Sequence, residues 1–417
     1  MVDKKNVLII NHQNFSNIGG IENWLYNLTK YCIAHQIRVI WLCDKKPLLH
    51  SSFSGVMLSN QIERVVVNCR KLNWFKMGKM ELHRNERYVI FSANPTNMCA
   101  SEDIMLHYTG YDFFPIYAIP DTTGNSYFLE RNFRNRLARK FIFKVLQKML
   151  SRWMSYKAIR YFSANHSTAL AENYGVVDAK TDSHLLSALN KPASIDLNFL
   201  KEKAQKRNPF IISTVGRFDY PHKGYMLGLV RSFGILKNEF SQIELRIAGF
   251  GPHESILLEE INKLPLSIRE SVKVIGAVSP EELDEFNLKS HLNISVAGAA
   301  WKGASVGTLT LVGRNYCDGD CEVYGFFHEC AEKITSLEKG MLVEPYIRKV
   351  INMGEEEYVE MCKKDYDYVA DFLEKGYNPL YLFESTMNSY FVPSRKEVFQ
   401  MKMLKRLITM NHYLKLL

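Results

Sequence analysis

Several features that mark protein classes are missing from this chain of 417 residues. Its eight cysteines, Cys32, Cys43, Cys69, Cys99, Cys317, Cys321, Cys330 and Cys362, include no C-x-x-C pair. So few in so long a chain read as thiols of a reducing compartment, not as a disulfide framework. No run approaches the ~20 apolar residues that span a bilayer, so no membrane-crossing helix is expected. The N-terminus, MVDKKNVLII, enters a strand almost at once and leaves no room for a secretory apolar region. The G-x-G-x-x-G dinucleotide pattern is absent, as are low-complexity tracts and repeats. No base-stacking or groove-reading module is present, which argues against a nucleic-acid partner. What is present is ordinary globular composition, 47% apolar and 23% charged. That length suits two or three domains. The expectation is a cytoplasmic protein, soluble or peripheral on the inner face of the cell membrane.

Acids are also missing from one long segment. Residues 131–160 hold ten Lys or Arg and no Asp or Glu, so against a chain total of +9 the other 387 residues carry −1. The spacing is helical. Phe133, Leu137, Phe141, Val145, Met149 and Trp153 form one i+4 line; Arg136, Lys140, Lys144, Lys148 and Arg152 form another beside it. Three readings fit. The helix docks on an anionic membrane surface, each cation contributing ~1 kcal/mol. Alternatively it packs on its own domain with a solvated basic face, or it meets a polyanionic acceptor.

Two series of strand–helix alternation predict parallel sheets covered by helices. The first has strands at 6–11, 37–43, 65–68 and 88–92, then near 104–108 and 160–163, with a helix over 21–34. The second has strands at 210–215, 242–248, 272–275 and 292–296. The polar, Pro-broken stretch 180–208 reads as linker and hinge, and 392–417 as a basic amphipathic helix. The expected class is α/β, with domains at 1–190 and 191–391 and the helix 392–417 packing back on the first. Such domains place a ligand in the cleft between them, at the carboxyl ends of strands.

Two motifs fall just after strands. Gly19 and Gly20, between the first strand and first helix, allow close approach of backbone to a ligand, and the helix behind them offers free N–H groups. A structural turn is the plainer reading. After the first strand of the second series comes GRFDYPHKG, 216–224, where the fork of Arg217 and the point charge of Lys223 can grip two phosphates. Solvated loop cations are the alternative.

Together these residues resemble the GT-B glycosyltransferases of the large retaining, sugar-nucleotide-dependent group (family 4, the "group 1" transferases). The shared signatures are GGIE at 19–22, GRFDYPHKG, RIAGFGP at 246–252, VKVIG at 272–276, PEEL at 280–283 and GMLVEP at 340–345. In order and spacing they cover nearly the whole chain. The resemblance implies two Rossmann-like doubly wound domains facing a central cleft, the first receiving the acceptor and the second a UDP- or GDP-sugar donor. It implies sugar transfer to a hydroxyl of a glycan or lipid-linked acceptor, in bacterial surface-polysaccharide assembly, with no metal cofactor. By the same resemblance Gly19 and Gly20 face the diphosphate and sugar, and Arg217 and Lys223, beside Gly216, bind the diphosphate. The stretch 274–278, with Ile275 and Gly276, meets the nucleobase through its backbone. His107 faces the reacting sugar, unless it is a satisfied histidine at a strand end.

One departure from the family bears on chemistry. Its two glutamates, eight positions apart, align with Lys302 and Thr310. Thr310 can still hydrogen-bond a ribose hydroxyl, and Lys302 would suit a donor or acceptor carrying a carboxylate. The backbone N–H groups of Gly303, Ala304, Ser305 and Val306 can serve the diphosphate. A rival alignment makes Glu322 and Glu329 the acidic pair, one residue short of the spacing. The alternative function is a degenerate GT-B subunit that binds glycan or a partner glycosyltransferase without catalysis. Asp318, Gly319 and Asp320 imitate an Asp-x-Asp metal signature but read as a loop. Cys317, Cys321, Cys330 and His328 fit no zinc spacing.

Overall fold

In the computed structural model, residues 4–16, 20–67, 79–119, 135–162, 164–179, 186, 194–317 and 319–374 are described, with Phe383, Ser394, Lys396, Phe399 and Met403. The chain divides into two compact units, Met1–Leu189 with Asn378–Leu417, and Asn190–Tyr377. The span read as a C-terminal helix, 392–417, lies outside the described residues but for four positions.

The first unit runs β1 (Lys5–Asn11), α1 (Gly20–Ala34), β2 (Arg38–Cys43), α2 (Ser51–Met57), β3 (Ile62–Val66) and β4 (Glu86–Ser92). It continues with α3 (Pro95–His107), β5 (Asp112–Ile119), α4 (Arg136–Ser155), β6 (Ile159–Tyr161) and α5 (Ala164–Tyr174). The sheet is parallel with order β3-β2-β1-β4-β5-β6. The apolar run of β1 has no polar face, which suits a central strand covered on both sides. Alternate residues feed opposite cores: Val7, Ile9, Ile40 and Leu42 one, Leu8, Ile10, Val39 and Trp41 the other. Phe383 is buried in the second of these clusters.

The strand expected near 104–108 is instead the end of α3. Asn94 caps that helix, its side chain accepting from Asn97 N–H, and Pro95 occupies its first turn. The apolar run at 104–106 therefore belongs to a helix face, not a strand. The true strand, β5, lies between β4 and β6 and carries Pro115 in its middle, opposite Ile90 of β4. Proline normally argues against an interior strand, which hid this one.

The second unit runs α6 (Leu197–Gln205), β7 (Phe210–Val215), α7 (Tyr225–Glu239), β8 (Ile243–Ala248), α8 (Glu254–Asn262), α9 (Leu266–Arg269) and β9 (Val272–Gly276). Then come α10 (Pro280–Leu288), β10 (Leu292–Ser295), α11 (Ala297–Ser305), β11 (Leu309–Gly313), β12 (Glu322–Phe326) and α12 (Phe327–Cys330). Last are β13 (Met341–Leu342), α13 (Glu344–Ile351) and α14 (Glu355–Glu374). The sheet order is β13-β12-β11-β10-β7-β8-β9, parallel from β11 to β9, with β12 antiparallel. Part of the stretch read as linker is thus helix α6 of this unit, while 180–185 and 187–193 lie outside the described residues.

Both sheets reverse their order at one point, between β1 and β4 in the first unit and between β7 and β10 in the second. In doubly wound sheets a ligand binds at that switch point, outside the carboxyl ends of the strands. Each unit therefore has one edge where a site belongs.

Candidate functional site

In the second unit, three loops converge on that edge. The loop after β7 turns over buried Phe218, whose N–H donates to Phe250 O at 2.9 Å. Tyr220 N–H donates to His253 Nδ1 at 2.9 Å, so the loops after β7 and β8 are tied together. Glycine makes the approach possible: a Cβ on Gly249 would stand 1.9 Å from Gly216 O, and one on Gly224 would stand 2.0 Å from Cys317 O. The loop then presents its cations. Arg217 Nη2 donates to Asp219 Oδ2 at 2.9 Å, and both side chains stay partly exposed. Lys223 Nζ donates to Asn315 Oδ1 at 3.0 Å. Part of the Lys223 side chain reaches the surface. Enough protein surrounds its ammonium for desolvation to bring the pKa down to about 7, Asp219 pulling upward and Arg217 pushing further down. Among the described residues no carboxylate lies within ion-pair distance of it. A cation in that state is short of one anion.

The expected β9 residues lie at the sheet edge. Ile275 is 48% exposed, and Gly276 holds φ +80, a left-handed conformation that favours glycine, while its carbonyl accepts Gly249 N–H at 2.8 Å.

The family's paired positions are placed elsewhere. Thr310 is the second residue of β11, at the amino end of the strand, fully buried, with its hydroxyl donating to Thr308 O at 2.8 Å. It has no surface to offer a ribose. Gly303, Ala304 and Ser305 form the last turn of α11 and Val306 caps it, all buried at the end remote from the ligand edge. Their N–H groups do not open on the carboxyl edge of the sheet, contrary to expectation. The end of α11 that does open there is its start: Val296 supplies no side-chain cap, Ala297 has φ +49 and Gly298 is exposed. Ala297 N–H donates to Ile334 O at 3.1 Å and Ala299 N–H to Val296 O at 3.2 Å, which leaves the N–H of exposed Gly298 at this helix start to suit an anion. Lys302, mid-helix, is ion-paired with Asp284 of α10 and so already has a carboxylate.

Glu322 accepts from Arg314 Nη1 at 2.9 Å and from Gly340 N–H at 2.8 Å, and Glu329 is exposed on α12. Asp318 lies outside the described residues. His328 Nδ1 is 2.6 Å from buried Asp365, and burial pushes the Cys330 thiol up to about 12. Among the described residues no group of three His, Cys, Asp or Glu could hold a metal ion.

In the first unit, Gly19 lies outside the described residues, and Gly20 opens α1, exposed, with open space to 4 Å around the point where a Cβ would stand. The switch point beside it is a buried amide network that the sequence did not announce. Asn11 Nδ2 donates to Asn97 O at 2.7 Å and Ser101 Oγ at 2.8 Å, and Gln13 Nε2 donates to Asn11 Oδ1 at 2.6 Å. Just beyond, His12 Nε2 lies 3.5 Å from Glu22 Oε1. His107 does not join this group. It ends α3, exposed, with its ring 4.9 Å from that of Tyr108. A crossover helix runs back from the carboxyl end of one strand to the amino end of the next, so His107 stands at the wrong end of the sheet to face a sugar.

Helix α4 corrects the i+4 lines. Met149 and Trp153 are buried with Ile142, Leu146 and Leu150, whereas Leu137 is 78% and Phe141 51% exposed. Steps of four residues drift by about 40° each on a 3.6-residue helix, so one line cannot stay on one face. Arg136, Arg139, Lys140, Lys144 and Lys148 are exposed around Leu137 and Phe141. Arg152 turns inward, donating to buried Glu102 at 2.5 Å, where Trp153 Nε1 also donates at 2.9 Å. Phe133 lies outside the described residues. Among the described residues no helix is long and apolar enough to cross a membrane.

No protein-family model and no curated protein matches the chain by sequence. Solved structures match by shape. HepE of Anabaena, solved with UDP and glucose, covers 92% of this chain and 98% of its own at 10% identity, with TM-score 0.54. A TarM variant of S. aureus, solved with fondaparinux, α-GlcNAc-glycerol and UDP, covers 92% and 99% at 8% identity, also 0.54. A glycosyltransferase from Rickettsia africae covers 92% and 97% at 12% identity, again 0.54. Identity this low speaks to fold alone. The chain has the GT-B fold, α/β with two Rossmann-like units.

Proposed function

We propose that the chain is a glycosyltransferase of the family 4 type. It would move a sugar from a UDP- or GDP-sugar to a hydroxyl of a glycan or lipid-linked acceptor, with retention of configuration, in bacterial surface-polysaccharide assembly. One observation carries the reading: Lys223, desolvated and without a carboxylate, stands in the same loop as Arg217 at the carboxyl end of β7. A nucleoside diphosphate supplies the missing negative charge, and in the transition state, where that charge grows, both cations and the start of α11 stabilise the leaving group. Two side-chain cations and a helix end balance a diphosphate, so the reading calls for no metal. That matched structures were solved with UDP is consistent with it. The exposed cations of α4, set around Leu137 and Phe141, suit an anionic inner-leaflet surface where a lipid-linked acceptor lies.

Thermal shift with UDP, GDP and their sugars tests the reading. Ligand at ~100 Kd should stabilise by ~2.7 kcal/mol. No shift with any nucleotide would favour a non-catalytic subunit, a reading motivated by the absence of carboxylates at 302 and 310. Transfer of label from a donor that does shift the protein would exclude that subunit role.

A further inference from the structure

Lys223 poses a physical problem of its own. An ammonium that loses water usually gains a carboxylate, and this one gains a neutral amide. The acceptor, Asn315, is only 7% exposed. It does not belong to the loop that carries Lys223 but to the connection between β11 and β12, and that connection is fastened to the loop at several points. Tyr316 N–H donates to His222 O at 3.0 Å, and the two rings lie 4.9 Å apart. Cys317 O fills the space that Gly224 leaves open. The carboxylate at the start of β12, Glu322, is engaged by Arg314 at 2.9 Å.

We propose that Asn315 is a positioning residue for the diphosphate grip: its amide holds the Lys223 amine in place without supplying a counter-charge, so the negative charge that completes the site comes from the incoming anion. The proposal rests on reading this loop as a diphosphate site. An aspartate at 315 would hold the ammonium equally well but cancel its charge, and a leucine would hold nothing. The charged and titratable described groups on the elements packed around Lys223 are Arg217, Asp219, Tyr220 and His222 on its own loop, Arg314, Tyr316, Cys317, Asp320 and Cys321 on the facing connection, Glu322 at the start of β12, and Tyr225 at the start of α7. Asp219 is the carboxylate whose charge acts on Lys223, and it is paired with Arg217 at 2.9 Å. With the Lys223 pKa brought to about 7 by desolvation, the free site is part-neutral near physiological pH. A diphosphate should therefore draw in a proton as it binds.

The test uses the full chain with lysine labelled at Cε, the Lys223 signal being assigned by its loss in Lys223→Gln. Asn315→Asp should raise the Lys223 midpoint by about one pH unit and Asn315→Leu should lower it, since a nearby carboxylate favours the ammonium and loss of a partner disfavours it. Calorimetry with inorganic pyrophosphate at pH 7 should show proton uptake by the wild type. Both variants should bind about tenfold more weakly, while Asn315→Ser, which keeps an acceptor, binds nearly as the wild type does. Midpoints that move together, or not at all, overturn the proposal, as does undiminished pyrophosphate binding by Asn315→Leu. If the midpoints split as expected but the wild type binds neither pyrophosphate nor UDP, the diphosphate reading fails, and Asn315 stands as the residue that sets the charge of Lys223.

Discussion

The two units carry their charge in opposite places. At the switch point of the first, Asn11, Gln13, Asn97 and Ser101 form a buried neutral network, while its helix α4 exposes Arg136, Arg139, Lys140, Lys144 and Lys148. At the switch point of the second stand Arg217 and Lys223, while its 20-residue helix α14 mixes signs, with Glu355, Glu356 and Glu357 in the first turn and the i,i+4 pairs Lys363–Asp367 and Glu360–Lys364. Amides suit hydroxyl groups and cations suit phosphate. Two sheets wound in the same order thus present different chemistry at the same edge, because the residues after the strands, not the strands, decide what binds there.

The contrast breaks if nucleotide turnover survives without the cations of the second unit. Arg217→Ala and Lys223→Ala should each remove ~2–4 kcal/mol of transition-state stabilisation, measured as kcat/KM with the nucleotide sugar that gives the thermal shift. A double variant with full turnover would exclude the grip. The next largest effect belongs to α4. Lys140→Glu, Lys144→Glu and Lys148→Glu together should weaken sedimentation with anionic vesicles by ~3 kcal/mol, in keeping with ~1 kcal/mol per cation, and leave the nucleotide shift unchanged. Wild-type binding should fall steeply with salt, since attraction of this kind decays over ~8 Å at physiological ionic strength. A folded triple variant that sediments as the wild type does would free α4 of that role. Asn11→Leu sharpens the contrast from the other side. It strands partners of a buried network and should cost ~1–3 kcal/mol of stability without weakening nucleotide affinity. Lost nucleotide binding in that variant would contradict the division between the two edges.

The sequence makes the order of strands legible where pattern and chemistry agree. The apolar run of β1, the glycine that opens α1 and the loop GRFDYPHKG all stand where the pattern puts them. What the pattern misses is direction. Reading 104–108 as strand puts His107 at a strand end facing ligand, and the cap at Asn94, ten residues earlier, reverses that. Likewise the alignment puts Lys302, Thr310 and the N–H groups of 303–306 at the ligand, yet α11 descends from the edge through Lys302 and β11 has only begun to climb back at Thr310. A residue's end of the sheet depends on where its helix starts, and short apolar runs do not reveal it. Asn315 has no sequence signal at all, for its importance lies in reaching a lysine 92 residues away.

The smallest effect expected concerns stability, and it separates a binding lysine from a structural one. Lys223 has a folded-state pKa of about 7, well below the value of a lysine in the unfolded chain. Between those two values the unfolded chain holds the proton more tightly, so stability rises with pH across that window. The penalty of burying the ammonium is fully present below pH ~7 and gone above pH ~10. Lys223→Met, which keeps the stem and removes the charge, should therefore stabilise the second unit by about 1 kcal/mol at pH 6.5, a figure held low because part of the side chain is exposed, with the gain fading towards pH 10. Chemical denaturation at the two pH values reads it. A lysine kept for structure would give the opposite sign, a loss at pH 6.5, and that result would remove the argument that its charge is held in reserve for a ligand.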